Sequence, residues 1–288
     1  MSDTMSGGSI VIPAHNEGTV IERTLRTLVD GLEGFGAPEA AGIGDVSVVV
    51  ACNGCSDDTA ARAGAFAGVT VLDLPAAGKT GALRAAERVA GAMPRIYLDA
   101  DIDLTGRAAT AVLAALRGGA VAARPPIHFD TSASSWLVRR YCAAKLRIPS
   151  VMAELCGGGA YGLSAEARSR FGDYPDLTGD DLFIARIVGP AEVTIVETDP
   201  LVVRMPRDAR SMLKILRRSV RGNQEFARVM PDLARDTAGD TGAGLKQQLR
   251  NPRTAPDALV YAAFAVAARL SVKYGRDRGH WERDDSTR

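Results

Sequence analysis

The sequence predicts an α/β fold: a doubly wound, mostly parallel β-sheet flanked by helices, with a helical C-terminal extension. Three observations predict it. Short apolar runs rich in β-branched residues alternate with amphipathic helical patterns through the first 124 residues. Polar clusters directly follow four of these runs. The 288 residues, 46% hydrophobic and 24% charged, are typical of a globular chain that buries a large core.

The strands are predicted where buried β-branched runs occur, at Ser9–Pro13, Asp45–Ala51, Val69–Leu74 and Arg95–Leu98, with Gly119–Ala123 as a candidate fifth. Helical patterns fill the gaps, at Val20–Leu32, at Asp57–Ala67 after the N-cap Ser56, and at Lys79–Met93 after Gly78. Repetition of strand and helix implies a parallel sheet, whose ligands bind outside the carboxyl ends of its strands.

The polar clusters fall at those strand ends, at His15–Glu17, Asn53–Asp57, Gly78–Lys79 and Asp99–Asp101. Asp99 and Asp101 can converge on one hard cation, and Mg²⁺ or Mn²⁺ suits such oxygens when phosphates complete the shell. A solvated acidic loop is the alternative interpretation. Asp103 adds a third carboxylate, so the sequence leaves open which two of the three form the pair.

Beyond residue 124 the strand and helix patterns no longer alternate regularly. A helix is expected over Ser132–Arg147, and another over Asp257–Tyr274, where apolar residues occupy most faces. Between them, Gly239–Gly244 is the one linker-like stretch. The last helix is expected to dock on the domain or on a second copy in a homodimer, and peripheral membrane contact is the alternative.

The overall composition narrows the function classes. Lys and Arg total 35 against 34 Asp and Glu, so no global attraction to nucleic acid follows. The N-terminus lacks a signal-peptide pattern, and the best apolar stretch, Ala258–Ala268, is too short to span a bilayer, so a cytoplasmic protein without a transmembrane segment is expected. Cys52 and Cys55 are interpreted as small turn residues, rather than a redox pair or half a zinc site, and His128 and His280 as surface or satisfied histidines.

Six motifs in order resemble the family 2 glycosyltransferases, which have the GT-A fold of the nucleotide-diphospho-sugar transferase superfamily. They are IVIPAHNE (10–17), CNGCSDDT (52–59), GKTGALRAA (78–86), LDAD (98–101), CGGGAYGLS (156–164) and DDLFIAR (180–186). The basic segment RRSVRGNQE (217–225) is similar to a region of related synthases. The resemblance implies a domain over 1–235, with a nucleotide-sugar half at about 9–124 and an acceptor half at about 125–235. A linker and helical extension would occupy 236–288.

The resemblance also implies an inverting enzyme that moves one sugar from a nucleoside diphosphate sugar to an acceptor hydroxyl with Mg²⁺ or Mn²⁺. The resemblance also implies a role for each residue of this sequence that matches a functional position of the family. Pro13, Glu17, Asn53 and Asp57 would line the nucleotide pocket, Lys79 would lie beside base and phosphates, and Asp99 would hold ribose and metal. Asp101 would be the main metal ligand, Asp181 (with Asp180 as the alternative) the general base, and Arg218 and Arg221 would face the diphosphate or the acceptor.

Two departures from the family pattern matter. Asn53 replaces an acid that usually accepts the imide proton of uracil, which leaves the base preference open because an amide donates and accepts. Gly222 replaces a tryptophan expected of processive synthases, which favours single additions. Three rival functions are transfer to a polyprenyl phosphate at the membrane surface, a nucleotidyltransferase that makes the activated sugar, and an inactive nucleotide-sugar-binding protein. A nucleotidyltransferase usually has a Gly-rich loop after its first strand, and this sequence does not match that loop. The sugar, the base and the acceptor are not identified.

Overall fold

A computed structural model describes residues 7–32, 46–177, 179–234 and 241–275 of the chain. They belong to two compact units. The first unit comprises Met1–His128, Leu155–Asp176 and Ile187–Val203, and the second comprises Phe129–Glu154, Leu177–Arg186 and Arg204–Arg288, each within the described ranges. The predicted domain boundary at residue 235 stays a prediction.

Nine strands are described: β1 (Gly8–Ala14), β2 (Val46–Asn53), β3 (Val69–Leu74), β4 (Arg95–Leu98), β5 (Ala122–Arg124), β6 (Ile127–Asp130), β7 (Ala160–Leu163), β8 (Val193–Ile195) and β9 (Leu201–Arg204). Seven of them form one sheet in the order β3-β2-β1-β4-β7-β5-β8, and β6 pairs with β9. All neighbours are parallel except that β7 runs antiparallel to β4 and β5. This confirms the predicted mostly parallel sheet.

The described helices are α1 (Ile21–Val29), α2 (Thr59–Gly64), α3 (Lys79–Val89), α4 (Gly106–Arg117), α5 (Trp136–Leu146), α6 (Pro149–Ala153), α7 (Ala165–Ser169), α8 (Asp180–Ile187), α9 (Ala209–Val229), α10 (Pro231–Ala234), α11 (Thr241–Leu249) and α12 (Ala255–Tyr274). A 3₁₀ helix covers Pro190–Glu192. The strand face of β1 that carries Ile10 and Ile12 joins Leu25 and Leu28 of α1 in the main core. Burial of such side chains contributes about 1.5–3 kcal/mol each, which fixes the sheet that presents the polar loops.

Several sequence expectations need correction. The predicted cap Ser56 does not start α2, which begins at Thr59 after Asp58, because the Asp57 carboxylate accepts from the Thr59 amide instead. The linker-like stretch Gly239–Gly244 enters α11 at Thr241, while residues 239 and 240 lie outside the described residues. Asp45 and His280 also lie outside them.

In the second unit, α12 packs against α5 and α9. The rings of Tyr141 and Tyr261 stack with centroids 4.8 Å apart. Asp257, buried at the start of α12, pairs with Arg140 at 2.8 Å and with Arg147 at 2.7 Å. Within the described part of the chain, α12 alone is long and apolar enough to cross a membrane, judged by length and composition only.

Candidate functional site

The acidic turn after β4 is held by neighbouring backbone and by a lysine. The Asp99 amide donates to the Gly159 carbonyl at 2.7 Å, and Lys79 Nζ lies 2.9 Å from Asp99 Oδ1. Gly159 has φ +75°, and a Cβ there would come within 2.5 Å of Ile102 and 3.2 Å of Asp99 Oδ2. Only glycine fits this position without strain, so the glycine-rich run leaves room for the Asp99 carboxylate.

Helix α1 braces the same turn from the other side. Thr24 Oγ1 donates to the Ala100 carbonyl at 2.8 Å, and Arg23 Nη2 donates to the Asp101 carbonyl at 3.3 Å. Arg23 also pairs with Asp103, its Nε lying 3.0 Å from Asp103 Oδ1. Asp103 is thus bound to α1, and the choice of Asp99 and Asp101 as the metal ligands stays a prediction. Thr24 and Arg23 carry no motif signal and were missed in the sequence.

The loops that follow β1 and β2 are locked together by hydrogen bonds between them. His15 Nδ1 donates to the Asn53 carbonyl at 2.6 Å, and the Glu17 amide donates to Thr59 Oγ1 at 2.8 Å. Asn16, in the left-handed region at φ 52°, accepts from the Ser56 amide through Oδ1 at 2.7 Å. Pro13 is the second-last residue of the buried β1 and pairs in register with Ala51 of β2. These hydrogen bonds hold the two loops against each other in the protein itself.

Asn53 is directed toward the backbone of its own chain. Its Nδ2 donates to the Ala14 carbonyl at 2.8 Å and to the Ala51 carbonyl at 3.4 Å, and its Oδ1 accepts from the Gly78 amide at 3.0 Å. The residue is only 4% exposed. Its place beside the nucleotide stays a prediction, but its amide ties the ends of β1 and β2 to the start of α3.

Asp57 is likewise used within the chain. Its carboxylate accepts from the Gly18 amide at 3.0 Å and from both the amide and the hydroxyl of Thr59. A Cβ on Gly18 would come within 2.4 Å of Asp58 Oδ1 and 3.0 Å of Asp57 Oδ2, so a larger residue there would have to displace these carboxylates. Glu17 is buried beside this contact. Sequence reasoning missed Thr59, whose hydroxyl joins the two loops.

The second unit carries the other predicted residues. Asp180 is buried and Asp181 half-buried, and both lie in the first turn of α8. The backbone of Gly179 packs against Gly222 of α9, where a Cβ would be 3.7 Å from the Gly179 nitrogen. Arg218 and Arg221 are half-buried on α9. The second unit thus brings the start of α8 close to the helix that carries both arginines.

The residues after β4 fit a magnesium or manganese ion only as part of a shared shell. Among the described residues, no group of three or more His, Cys, Asp or Glu side chains could hold a metal. Asp99 and Asp101 offer two hard carboxylates, and Mg²⁺ commonly takes one or two of these while phosphates and water supply the rest. The pair therefore fits an ion that arrives with a diphosphate.

Cys52 is buried near the end of β2, and Cys55 is half-buried in the turn that follows it. Burial, with the neighbouring Cys55, raises the pKa of the Cys52 thiol to about 12. A thiol with so high a pKa is neutral and unreactive at pH 7. All four cysteines are free, and His128 is exposed, as expected.

The chain matches one protein family. The sequence profile described as "Glycosyl transferase family 2" matches residues 9–173, which is more than half of the chain. The matched range contains the residues that form the turn after β4 and the two locked loops. No curated protein sequence matches the chain significantly.

Several solved structures have the same fold as this chain, although their sequence identity to it is low. The mannosyltransferase PcManGT from Pyrobaculum calidifontis, in complex with GDP-Man and Mn²⁺, has a TM-score of 0.60 at 18% identity, covering 96% of this chain and 90% of that one. Glucosyl-3-phosphoglycerate synthase from Mycobacterium tuberculosis has a TM-score of 0.53 at 20% identity with phosphoglyceric acid bound, covering 78% and 80%. Its complex with Mn²⁺, UDP and glucosyl-3-phosphoglycerate gives 0.50 at 17% identity, covering 75% and 80%. These likenesses confirm a GT-A type α/β fold.

Proposed function

Because the chain belongs to glycosyl transferase family 2, we propose that this glycosyltransferase moves a single sugar from a nucleoside diphosphate sugar to an acceptor hydroxyl, with inversion and with Mg²⁺ or Mn²⁺. One observation carries the proposal. The Asp99–Asp101 turn is fixed between α1 and Gly159, with the Lys79 ammonium 2.9 Å from Asp99. Two carboxylates in one turn, with the ammonium of the first residue of α3 beside them, suit a metal-bound diphosphate.

On the donor side, the departing diphosphate gains negative charge as the bond from the anomeric carbon to the β-phosphate oxygen breaks. A bound divalent ion would neutralise part of that charge. Asp101, with Asp99, would hold the ion, and Lys79 would exchange its pairing with Asp99 for a phosphate oxygen. Pro13, Glu17, Asn53 and Asp57 would shape the nucleotide pocket through the rigid contact of their loops. Arg218 and Arg221 would bind the diphosphate or the acceptor.

On the acceptor side, the hydroxyl oxygen attacks the anomeric carbon from the face opposite the diphosphate, and its proton passes to a carboxylate. We assign that role to Asp181. Asp181 is half-buried and so partly accessible to solvent, whereas Asp180 is buried. Both lie in the first turn of α8, where the helix dipole favours the ionised carboxylate. One displacement without a covalent intermediate inverts the anomeric centre.

The similar solved structures support a nucleoside diphosphate sugar as donor, but they do not favour one nucleobase. One is described with GDP-Man and Mn²⁺ and the other with UDP and Mn²⁺, so guanine and uracil donors are both candidates here. Single addition is favoured because Gly222 occupies the position where processive synthases are expected to carry a tryptophan. Transfer to a polyprenyl phosphate stays the alternative to this acceptor class, and dimerisation and a cytoplasmic location stay predictions of the sequence.

A thermal-shift screen tests the donor assignment. UDP, GDP and their sugars are added with Mn²⁺ or with EDTA, and a ligand at 100 times its Kd should stabilise the protein by about 2.7 kcal/mol. The best donor is then used in single-turnover transfer, with the anomeric configuration of the product read by NMR. Stabilisation by no nucleotide, or a product with the donor's configuration, would overturn the proposal.

A further inference from the structure

One side of α12 is apolar and exposed to solvent. The side chains that face α5 and α9 include the buried Asp257, Ala258, Phe264 and Ala268. The opposite side, here called the outer face of α12, consists of Leu259, Ala263, Val266, Leu270 and Tyr274. At 100° per residue these five positions fall within an arc of roughly 80°. Leu259 is 60% exposed, Val266 51%, Leu270 49% and Tyr274 72%.

Within the described stretch 241–275, the exposed charged side chains are all positive. Arg269 and Lys273 are exposed towards the C-terminal end of α12, and Arg250 and Arg253 are exposed just before its first turn. Asp257 is the one acidic residue in the described stretch 241–275. It is buried and paired with two arginines of the second unit, Arg140 and Arg147, so it does not offset the surface charge.

We propose that the outer face of α12 docks on the surface of a membrane that contains anionic lipids, with the helix lying in the interface plane. Leucine and valine side chains would enter the boundary between headgroups and acyl chains, as in other interfacial helices. The flanking Arg and Lys side chains would contact lipid phosphates, to which a positive juxtamembrane surface is attracted. Tyr274 would lie at headgroup depth, where its ring and hydroxyl are both accommodated.

The charges disfavour a second copy of the chain as the occupant. In an antiparallel pairing of two outer faces, Arg269 and Lys273 of each copy would approach Arg250 and Arg253 of the other. In a parallel pairing each basic residue would approach its own counterpart. Both arrangements bring like charges together, which opposes association.

The buried side of α12 disfavours a membrane-spanning helix. Crossing a bilayer would remove Phe264 from the packing against its neighbouring helices and would separate Asp257 from Arg140 and Arg147. An isolated carboxylate in the hydrocarbon core is strongly unfavourable. A helix that keeps one side on the protein and presents the other to the lipid surface retains all of these contacts.

Vesicle flotation of the full chain tests the proposal, without donor or acceptor, so that its outcome is independent of the proposed reaction. The protein should bind vesicles of phosphatidylcholine with phosphatidylglycerol, and added salt should weaken this binding. Vesicles of phosphatidylcholine alone should bind it much less. The double variant Leu259→Glu/Leu270→Glu should lower the partition coefficient by about tenfold for each leucine. Arg269→Gln/Lys273→Gln should lower it by about fivefold for each charge and flatten the salt dependence.

Val89→Glu is the matched control, because Val89 is an exposed apolar residue of the first unit, 51% exposed at the end of α3. It should bind vesicles like the wild type. Circular dichroism and thermal melting confirm that each variant is folded. Equal binding to both vesicle types, or wild-type binding by the leucine variant, would overturn the proposal. So would a dimer that the leucine variant dissociates without any vesicle binding, or membrane association that resists alkaline carbonate.

Discussion

Replacing Asn53 by aspartate should destabilise the protein without changing which nucleobase it prefers. The amide of Asn53 makes three hydrogen bonds to backbone groups in a site that is 4% exposed. Aspartate keeps the acceptor for the Gly78 amide but loses the donor to the Ala14 and Ala51 carbonyls. It also places a carboxylate oxygen about where Nδ2 now lies, 2.8 Å from the Ala14 carbonyl oxygen.

The cost can be estimated from these contacts. A buried group left without its hydrogen bond costs about 1–3 kcal/mol, and more when a charge is involved. We therefore expect a loss of roughly 3 kcal/mol at neutral pH, which corresponds to a fall in Tm of about 6 °C at roughly 2 °C per kcal/mol for a chain of this size. Asn53→Ala, which removes both ends of the amide without adding charge, should lose roughly 2 kcal/mol.

The pH dependence gives an independent check. Burial beside carbonyl oxygens should raise the pKa of the introduced carboxyl above its unfolded value of about 3.9. A group with a raised folded pKa contributes stability below the unfolded pKa and loses it as pH rises through the folded pKa. The stability gap between wild type and Asn53→Asp should therefore be small at acid pH and widen towards neutrality.

Thermal melts across pH, with UDP and GDP as competing ligands, measure both effects. Wild-type stability of Asn53→Asp together with a changed ratio of UDP to GDP affinity would refute this reasoning. In that case the side chain would leave its backbone partners to contact the base.

Three further predictions follow from other contacts. The Glu87 side chain is only 9% exposed and accepts hydrogen bonds from Arg168 at 2.7 and 2.8 Å. Its partial burial opposes ionisation, but the hydrogen bonds from Arg168 and Tyr97 hold the pKa of Glu87 below its usual value. Glu87→Gln should lower the free energy of unfolding in urea by about 3 kcal/mol at pH 7. The difference between wild type and variant should shrink as pH falls below about 4, because the Glu87 carboxylate is then protonated. A difference that does not change with pH would contradict this role of Glu87. Gly159→Ala should weaken Mn²⁺-dependent donor binding measured by calorimetry, because its Cβ would press on Ile102 and Asp99; unchanged affinity would show that the turn adapts. Asp181→Asn should slow single-turnover transfer by about 10²–10⁴-fold with donor affinity nearly intact, whereas a slower Asp180→Asn enzyme would exchange the two roles.

The sequence predicted the first half of the fold well because each strand there is a continuous β-branched run. Val69–Leu74 and Arg95–Leu98 are confirmed at their predicted bounds, and α3 begins after Gly78. Strand β7 was missed. Its four residues, AYGL, follow three glycines that read as a loop, and only its antiparallel pairing between β4 and β5 makes it a strand.

The candidate site shows a similar limit. The sequence placed Lys79 and Asp99 after successive strands of the chain, and the structure brings their side chains into contact. The brace from Thr24 to Ala100 joins residues 76 positions apart and has no local pattern. Asn53 and Asp57 carry groups that could bind a nucleotide or a backbone equally well, so residue type alone did not reveal that both bond the chain itself.

The metal-dependent donor site is the central claim, and calorimetry of the donor with Asp101→Asn tests it most directly. The donor found in the thermal-shift screen is titrated into wild type, Asp101→Asn and the control Glu166→Gln, whose carboxylate is exposed on α7, with Mn²⁺ and with EDTA. Wild type and the control should bind tightly only with Mn²⁺, and Asp101→Asn should bind weakly in both conditions. Equal affinity of Asp101→Asn and wild type with Mn²⁺, or wild-type binding that EDTA leaves unchanged, would contradict the account.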